Sequence, residues 1–280
     1  MSNKPPPDPD SRRQARPRGG RPSGSGARLA AKLERTLMTA LEGDPRVVIN
    51  VKASELLGDA ELVAEVIARA FERAGAALGP QLTVIRTFRR SGVEPELLDS
   101  LVSQDPEVRI AGARLCGALR LPDAVPWLID LLDDPHPAVR EIAVRALGQA
   151  GGRRAVAALL ERAGTLPRYR ISKALALAAS DIDLASLLRE PGPTSLKVTI
   201  LMACGMRRDA LLTPLLVRMA LDRKCETDIR VAACRALGMI GDPAGADAMR
   251  LLASEPDPVV HKSSVRTRVR ISAAMRRESE

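Results

Sequence analysis

The chain has 280 residues and is 45% apolar, yet only Phe71, Phe88, Trp127 and Tyr169 are aromatic. Its bulk of Ala, Leu, Val and Arg consists of good helix formers apart from Val, so an all-α protein is expected. With no apolar run near the roughly 18–20 residues of a membrane span and no signal-peptide centre in residues 1–28, a cytoplasmic chain is expected.

Charge is unevenly spread. The sequence carries 43 Lys and Arg against 34 Asp and Glu, a net +9. Residues 1–28 contribute +5 and residues 261–280 contribute +4, which leaves thirty bases and thirty acids in residues 29–260. The body is formally neutral, and the basicity is expected in the tails.

In chain order, residues 1–27 are Pro, Gly, Ser and Arg with too little apolar surface to fold, and are expected as a disordered basic arm. Residues 28–103 hold a capping helix and degenerate helical repeats. The spacing of Leu29, Leu33, Leu37 and Leu41 predicts an amphipathic helix over 29–42 that covers the end of a stack, with insertion into a membrane or partner groove as the alternative. Val47 to Val51 is β-branched and has strand propensity, but repeat register favours helix, which is the reading taken. Gln81 to Arg90 and Glu94 to Ser103 make a shortened pair around Ser91-Gly92.

From residue 104 to 256 a period is plain. Anchored on Arg109, Arg140, Arg170, Lys197 and Arg230, the separations are 31, 30, 27 and 33. One residue before the anchor stand Val108, Val139, Tyr169, Leu196 and Ile229. Four after stand Ala113, Val144, Ala174, Leu201 and Cys234, and seven after Cys116, Leu147, Leu177, Cys204 and Leu237. These offsets share one helical face. Eight after the anchor, Gly117, Gly148, Ala178, Gly205 and Gly238 are expected to end the helix in a left-handed turn. A second apolar run follows in each unit, so each unit reads as helix, glycine turn, helix. Residues 257–280 restart the motif at Asp257-Pro258 with His261 as anchor, and are expected to form a closing helix and a charged tail.

The stretch from Asp134 to Gly148 resembles the short HEAT repeats first noted in phycobilisome lyases, and the resemblance covers residues 105 to about 253. It implies a right-handed α-solenoid of helical hairpins whose neighbour contacts supply the stability. It also implies that Arg109, Arg140, Arg170, Lys197 and Arg230 form a structural ladder with inter-repeat acids such as Asp134, and that the second helices line the concave face. Such repeats serve scaffolds, lyase subunits and some DNA glycosylases, so the fold does not by itself name a function.

Chemistry is sparse. Two histidines leave little room for Ser-His-Asp, Cys-His or multi-histidine metal sites. His136 reads as a loop residue and His261 as an anchor replacement. Cys116, Cys204 and Cys234 fall at core positions, while Cys225 beside Lys224 is the one candidate accessible thiol. No C-x-x-C pair, disulfide framework or zinc site is indicated. No catalytic residue, metal or cofactor is assigned, and the chain is read as not an enzyme.

A partner-binding role is expected instead. Arg162, Arg189, Arg218 and Arg250 near the ends of the second helices form a row suited to an acidic partner, unless neighbouring Glu161, Glu190 and Asp222 neutralise it. Trp127 is either an anchor for the partner or a filler between units. The expected function is a monomeric scaffold that binds a protein, with the tails attracted to acidic surfaces. Nucleic-acid binding is the alternative, and a lyase subunit the third.

Overall fold

The computed structural model describes residues 24–44, 46–178 and 184–278. The arm expected over 1–27 lies outside the described residues up to residue 23, and Gly24 already begins a helix. Among the described residues there are sixteen α-helices and no strand. The N-terminal part holds α1 (Gly24–Leu41), α2 (Ala53–Gly58), α3 (Ala60–Ala74), α4 (Leu78–Arg90) and α5 (Glu94–Ser100). Five pairs follow: α6 (Pro106–Ala118) with α7 (Val125–Asp130), α8 (Pro137–Ala150) with α9 (Gly152–Glu161), α10 (Arg168–Ala178) with α11 (Leu184–Arg189), α12 (Thr194–Arg207) with α13 (Thr213–Leu221), and α14 (Thr227–Ile240) with α15 (Pro243–Leu251). The last element is α16 (Pro258–Glu278).

The helices form two layers. α3, α6, α8, α10, α12, α14 and α16 stack side by side, each packed on the next, while the short second helices lie behind them. Leu115, Leu128, Leu147, Leu159, Leu175 and Leu201 fill the space between the layers and are fully buried. At the N-terminal end α1 packs on α3 and α4 and buries Leu29, Leu33 and Leu37, as its leucine spacing predicts.

Residues 47–52 are neither helix nor strand. The helix expected over Val47 to Val51 is corrected to an extended connection that buries Ile49 and whose Asn50 carbonyl accepts a bond from Lys32 Nζ at 2.6 Å. Ile49 is buried in the core and Val51 packs against it, half-buried.

The glycines eight residues after the anchor do not end helices. An ideal Cβ on Gly117 would lie 2.6 Å from Ala146 Cα, on Gly148 2.7 Å from Ala174 Cα, and on Gly205 2.8 Å from Ala236 Cα. They sit inside α6, α8 and α12, where two helix backbones touch. The left-handed residue comes three positions later, as Arg120 (φ 52), Gly151 (φ 73), Arg208 (φ 54) and Gly241 (φ 84). Two of these four are arginines held in a conformation that costs a side chain about 1–2 kcal/mol.

The same contacts correct the register of α10. Ala146 and Ala236 stand six residues after Arg140 and Arg230, and their counterpart Ala174 stands six after Arg168, not after Arg170. Tyr169 and Leu177, expected in the core, are 62% and 52% exposed as a result. Ser172 takes the buried position and donates to Thr199 O at 3.0 Å.

The anchors lie where the loops cross. Arg109 grips Asp134 with two bonds, Nε to Oδ2 at 2.8 Å and Nη2 to Oδ1 at 3.1 Å, and donates to Ser103 O at 2.7 Å. Arg230, 4% exposed, grips Glu255 at 3.1 and 2.8 Å and donates to Ala220 O at 3.0 Å. Arg140 instead donates to Asp134 O at 2.7 Å and Pro135 O at 3.1 Å. Arg170 is exposed and pairs with Glu141 on its own layer. Lys197 is half-buried, and no carboxylate pairs with it among the described residues.

Burial alone would raise the Asp134 carboxyl, but the Arg109 fork and the His136 N–H outweigh it and hold it below the usual range. The Arg230 fork holds Glu255 low in the same way. A depressed carboxylate contributes stability that is present above its unfolded value, about 4, and lost as pH falls through its folded value.

Two expectations follow. Gly148→Ala should cost about 1–3 kcal/mol by forcing α8 and α10 apart. Gly238→Ala, whose Cβ would meet nothing closer than 3.4 Å, should be neutral or stabilising by up to about 1 kcal/mol; equal effects in thermal melts would contradict the seam. Arg230→Met should cost about 1.5–3 kcal/mol in urea unfolding at pH 7, by leaving Glu255 with the longer ion pair to Arg223 at 3.8 Å. That difference should shrink at pH 3, where the carboxyl is protonated.

Candidate partner-binding face

Of the second-helix row, Arg162 pairs with Asp133 and Arg250 with Asp247, not with the acids expected to neutralise them. Arg189 and Arg218 are exposed, each on the end of its helix. Trp127 on α7 is 44% exposed. It therefore stands at the surface of the second layer and is not a filler between units.

Helix spacing assigns these residues to the outer side. First helices touch backbone to backbone through Gly and Ala, whereas the second helices approach one another at few points. The layer with the closer spacing is the inside of a bend, so the first helices line the inner face. The expectation that second helices line it is corrected by that spacing.

The inner face carries its own basic row. Five residues after each anchor, with α10 read from Arg168, stand Arg114, Arg145, Lys173, Met202, Arg235 and Arg266. This offset lies about 100° around the helix from the buried position four and farther from position seven, so its side chains project away from the core at mid-helix. Arg114 meets Glu61 of α3 at 3.5 Å and its Nε is buried without a partner. Arg145, Lys173, Arg235 and Arg266 are exposed and form no hydrogen bond or ion pair among the described residues. The row was hidden in the sequence because the α10 register was two residues off, which placed buried Leu175 at the offset where Lys173 belongs.

Grooves open on this face. One, of about 560 Å³, lies between α14 and α16 over Met202, Val231, Met239 and Thr267, with Arg235 and Arg266 on its rim. Another, of about 670 Å³, lies at the ends of α6, α8 and α10 and includes Phe71, Leu78, Arg120 and Leu177. There Arg120 stacks over the Phe71 ring at 4.3 Å and bonds Gln81.

The basic C-terminal segment also belongs to this face. It was expected as a helix followed by a charged tail, but helix runs on to Glu278, and Lys262, Arg266 and Arg270 line the α14–α16 groove. Part of the charge assigned to a tail is therefore fixed on a folded surface.

The nucleophile candidates lie elsewhere. Burial pushes the Cys116 thiol up to about 12 and that of Cys234 to about 11. Cys225 is raised by burial and by Asp222, whose carboxylate stands 3.8 Å from its sulfur, so the neighbouring lysine does not activate it. His136 lies in the exposed loop before α8 and His261 faces Leu252 O. Among the described residues no three His, Cys, Asp or Glu side chains converge as a metal site, and no helix is long and apolar enough to cross a membrane.

Comparison with known proteins gives the family. The model of HEAT repeats matches residues 94–180 and 183–267, more than half of the chain. No curated protein matches the sequence. Among solved structures, the chain is similar to human deoxyhypusine hydroxylase in complex with glycerol, with 20% identity and a TM-score of 0.35 over 88% of this chain and 98% of that one. It is also similar to the complex of CpcE and CpcF of phycocyanin lyase from Nostoc sp., with 17% identity and a TM-score of 0.33 over 84% and 97%. A designed armadillo repeat protein in complex with the peptide (KR)4 shares 14% identity at a TM-score of 0.28 over 85% and 99%. With the repeat period, the two-layer stack and the family match in agreement, the chain belongs to the HEAT-repeat proteins.

Proposed function

We propose that this chain is a non-catalytic module that holds a protein partner along the inner face of its first helices. The observation that carries the reading is the row Arg145, Lys173, Arg235 and Arg266, exposed, unpaired among the described residues and repeated from helix to helix. Unpaired guanidinium groups at one spacing suit an extended partner bearing carboxylates, because each fork donates to two oxygens. Exposed Leu177 and half-buried Met202 interleave with the cations and offer apolar contact. The residues 1–28 add sequence-level positive charge that would attract the same acidic partner from a distance.

Nucleic acid is the second reading, since phosphates suit the same row. Tyr169, 62% exposed beside Lys173, is a side chain that would stack on a base. Elsewhere the row is interleaved with aliphatic and thioether side chains, which favours a protein.

The double variant Arg145→Glu/Lys173→Glu separates these readings, because neither side chain supports the fold. Recovery of a protein partner from native lysate should fall at least about tenfold, the effect of reversing two exposed pairs with added repulsion. The melting temperature should stay within about 2 °C, no more than the shift of a loss of about 1 kcal/mol in a chain of this size. Undiminished recovery would dismiss the row. Tight binding of a 20-bp DNA duplex at 150 mM salt, lost in the same variant, would establish the second reading.

A further inference from the structure

The groove between α14 and α16 differs from the rest of the inner face in having an apolar floor with a rim of one charge. Its length follows α16 from Val259 to Arg270, about 16 Å at the rise of a helix. It exists because the residues at the seam are small. Val231, Ser263 and Thr267 lie low between the helices, while long side chains stand on either side.

The polar atoms of the floor are already satisfied. Thr267 Oγ1 donates to Cys234 O at 2.8 Å and Ser263 Oγ to Val231 O at 3.5 Å. The apolar lining is Val231 with Met202 and Met239, whose unbranched thioethers adapt to varied shapes. Val259, 55% exposed, closes one end with another apolar surface.

The rim is cationic. Arg235, Lys262, Arg266 and Arg270 all line the groove, all are exposed, and none has a hydrogen bond or ion pair among the described residues. No carboxylate lines it. Acids occur in the adjoining groove at the start of α14, which shares Val231, Arg235 and Val259 with this one; there Asp228 and Glu226 sit with Arg168, and Glu226 accepts a bond from Thr194.

We infer that the α14–α16 groove is a docking site for an acidic amphipathic helix of a partner protein, with apolar side chains on the Met202–Val231–Met239 floor and carboxylates on the Arg235, Lys262, Arg266 and Arg270 rim. This rests on the reading of the inner face as a partner-binding surface and names the partner's chemistry.

Three alternatives fit less well. An extended peptide needs a sheet edge to pair with, and two helices offer none, whereas a helix lies in the furrow between two others by ordinary ridge-and-groove packing. The chain's own residues 1–23 hold six bases and two acids and would be repelled by the rim. A nucleic acid would satisfy the cations but bring its bases onto a floor with no aromatic side chain to stack on.

The test uses the full chain and a fluorescent 14-residue peptide with Leu at positions i, i+3, i+4 and i+7, Glu at four flanking positions and Ala elsewhere, which favours helix. Three comparison probes are the same peptide with Ser for Leu, the same with Lys for Glu, and a 14-nucleotide single-stranded DNA. By anisotropy at 150 mM salt, the first peptide should bind at least about tenfold more tightly than each of the other three. Arg235→Glu/Arg266→Glu/Arg270→Glu should weaken it at least about tenfold, and Val259→Glu, a single exposed change, should also weaken it.

Equal binding of the Ser peptide would remove the floor from the argument and overturn the inference. Undiminished binding by the triple variant, or tighter binding of the DNA, would do the same. Arg145→Glu/Lys173→Glu lies outside the groove and should weaken the peptide less than the triple variant does. If that variant loses the lysate partner while the peptide fails to bind, the groove assignment falls and the inner-face reading stands. If the peptide binds as described and lysate recovery is unchanged, the converse holds.

Discussion

Backbone contact between successive first helices is the constraint on which the rest depends. At Gly117, Gly148 and Gly205 there is no room for a single carbon beyond the backbone of the next helix. A glycine inside a helix costs about 0.5–1 kcal/mol relative to alanine. That cost recurs in three first helices and is offset by close packing along the seam, where Ala146, Ala174 and Ala236 present the smallest side chains that still favour helix. Spacing along one layer is thereby fixed at a minimum, while the leucine-filled second layer keeps ordinary distances.

Unequal spacing has a directional consequence. It makes the first layer the inside of the stack, and it brings the mid-helix positions of neighbouring helices into alignment on that side. Long side chains at those positions cannot enter the seam and must rise from it, which is why the arginines and lysines five residues after each anchor project as a row. Where the seam residues are Val231, Ser263 and Thr267, the same rule leaves a trough between raised walls. The bidentate pairs Arg109–Asp134 and Arg230–Glu255 then fix the loops that set one helix on the next. They occur toward the two ends of the repeat region, and the middle units use carbonyl bonds or surface pairs instead.

Much of this was legible in the sequence, because the helices and their buried faces are written in local spacing. The leucines of α1, the core positions of Cys116, Cys204 and Cys234, and the helix pairs from α6 to α15 all follow from periodicity. Three features did not, for separate reasons. In α10, Tyr169 and Arg170 imitate the apolar-then-basic signature two residues late, and only the contact of Gly148 with Ala174 shows that Arg168 is the anchor. The repeated glycines have two plausible uses, helix end or close approach, and distinguishing them needs the position of the neighbouring backbone. Which layer is inner depends on helix spacing, a tertiary quantity that moved the candidate face from Arg162, Arg189, Arg218 and Arg250 to Arg145, Lys173, Arg235 and Arg266.

A formally neutral body can still carry a basic row, even though Glu61 and Glu65 line a groove with Arg114 and Arg145, because its helix-boundary acids and its mid-helix bases are used in different places. Helix starts expose N–H groups that carboxylates satisfy. Asp105, Asp134, Asp209, Asp222, Asp242 and Asp257 each accept a backbone N–H in the loop or turn at a helix boundary. These acids are thereby held at the ends of helices, some of them in ion pairs as well. Bases have no equivalent demand at mid-helix, and the repeat places one there in unit after unit. Net charge counted along the chain averages over this segregation, so a body of thirty acids and thirty bases acquires a basic row on its inner face from nothing more than where helices begin and where they are bare.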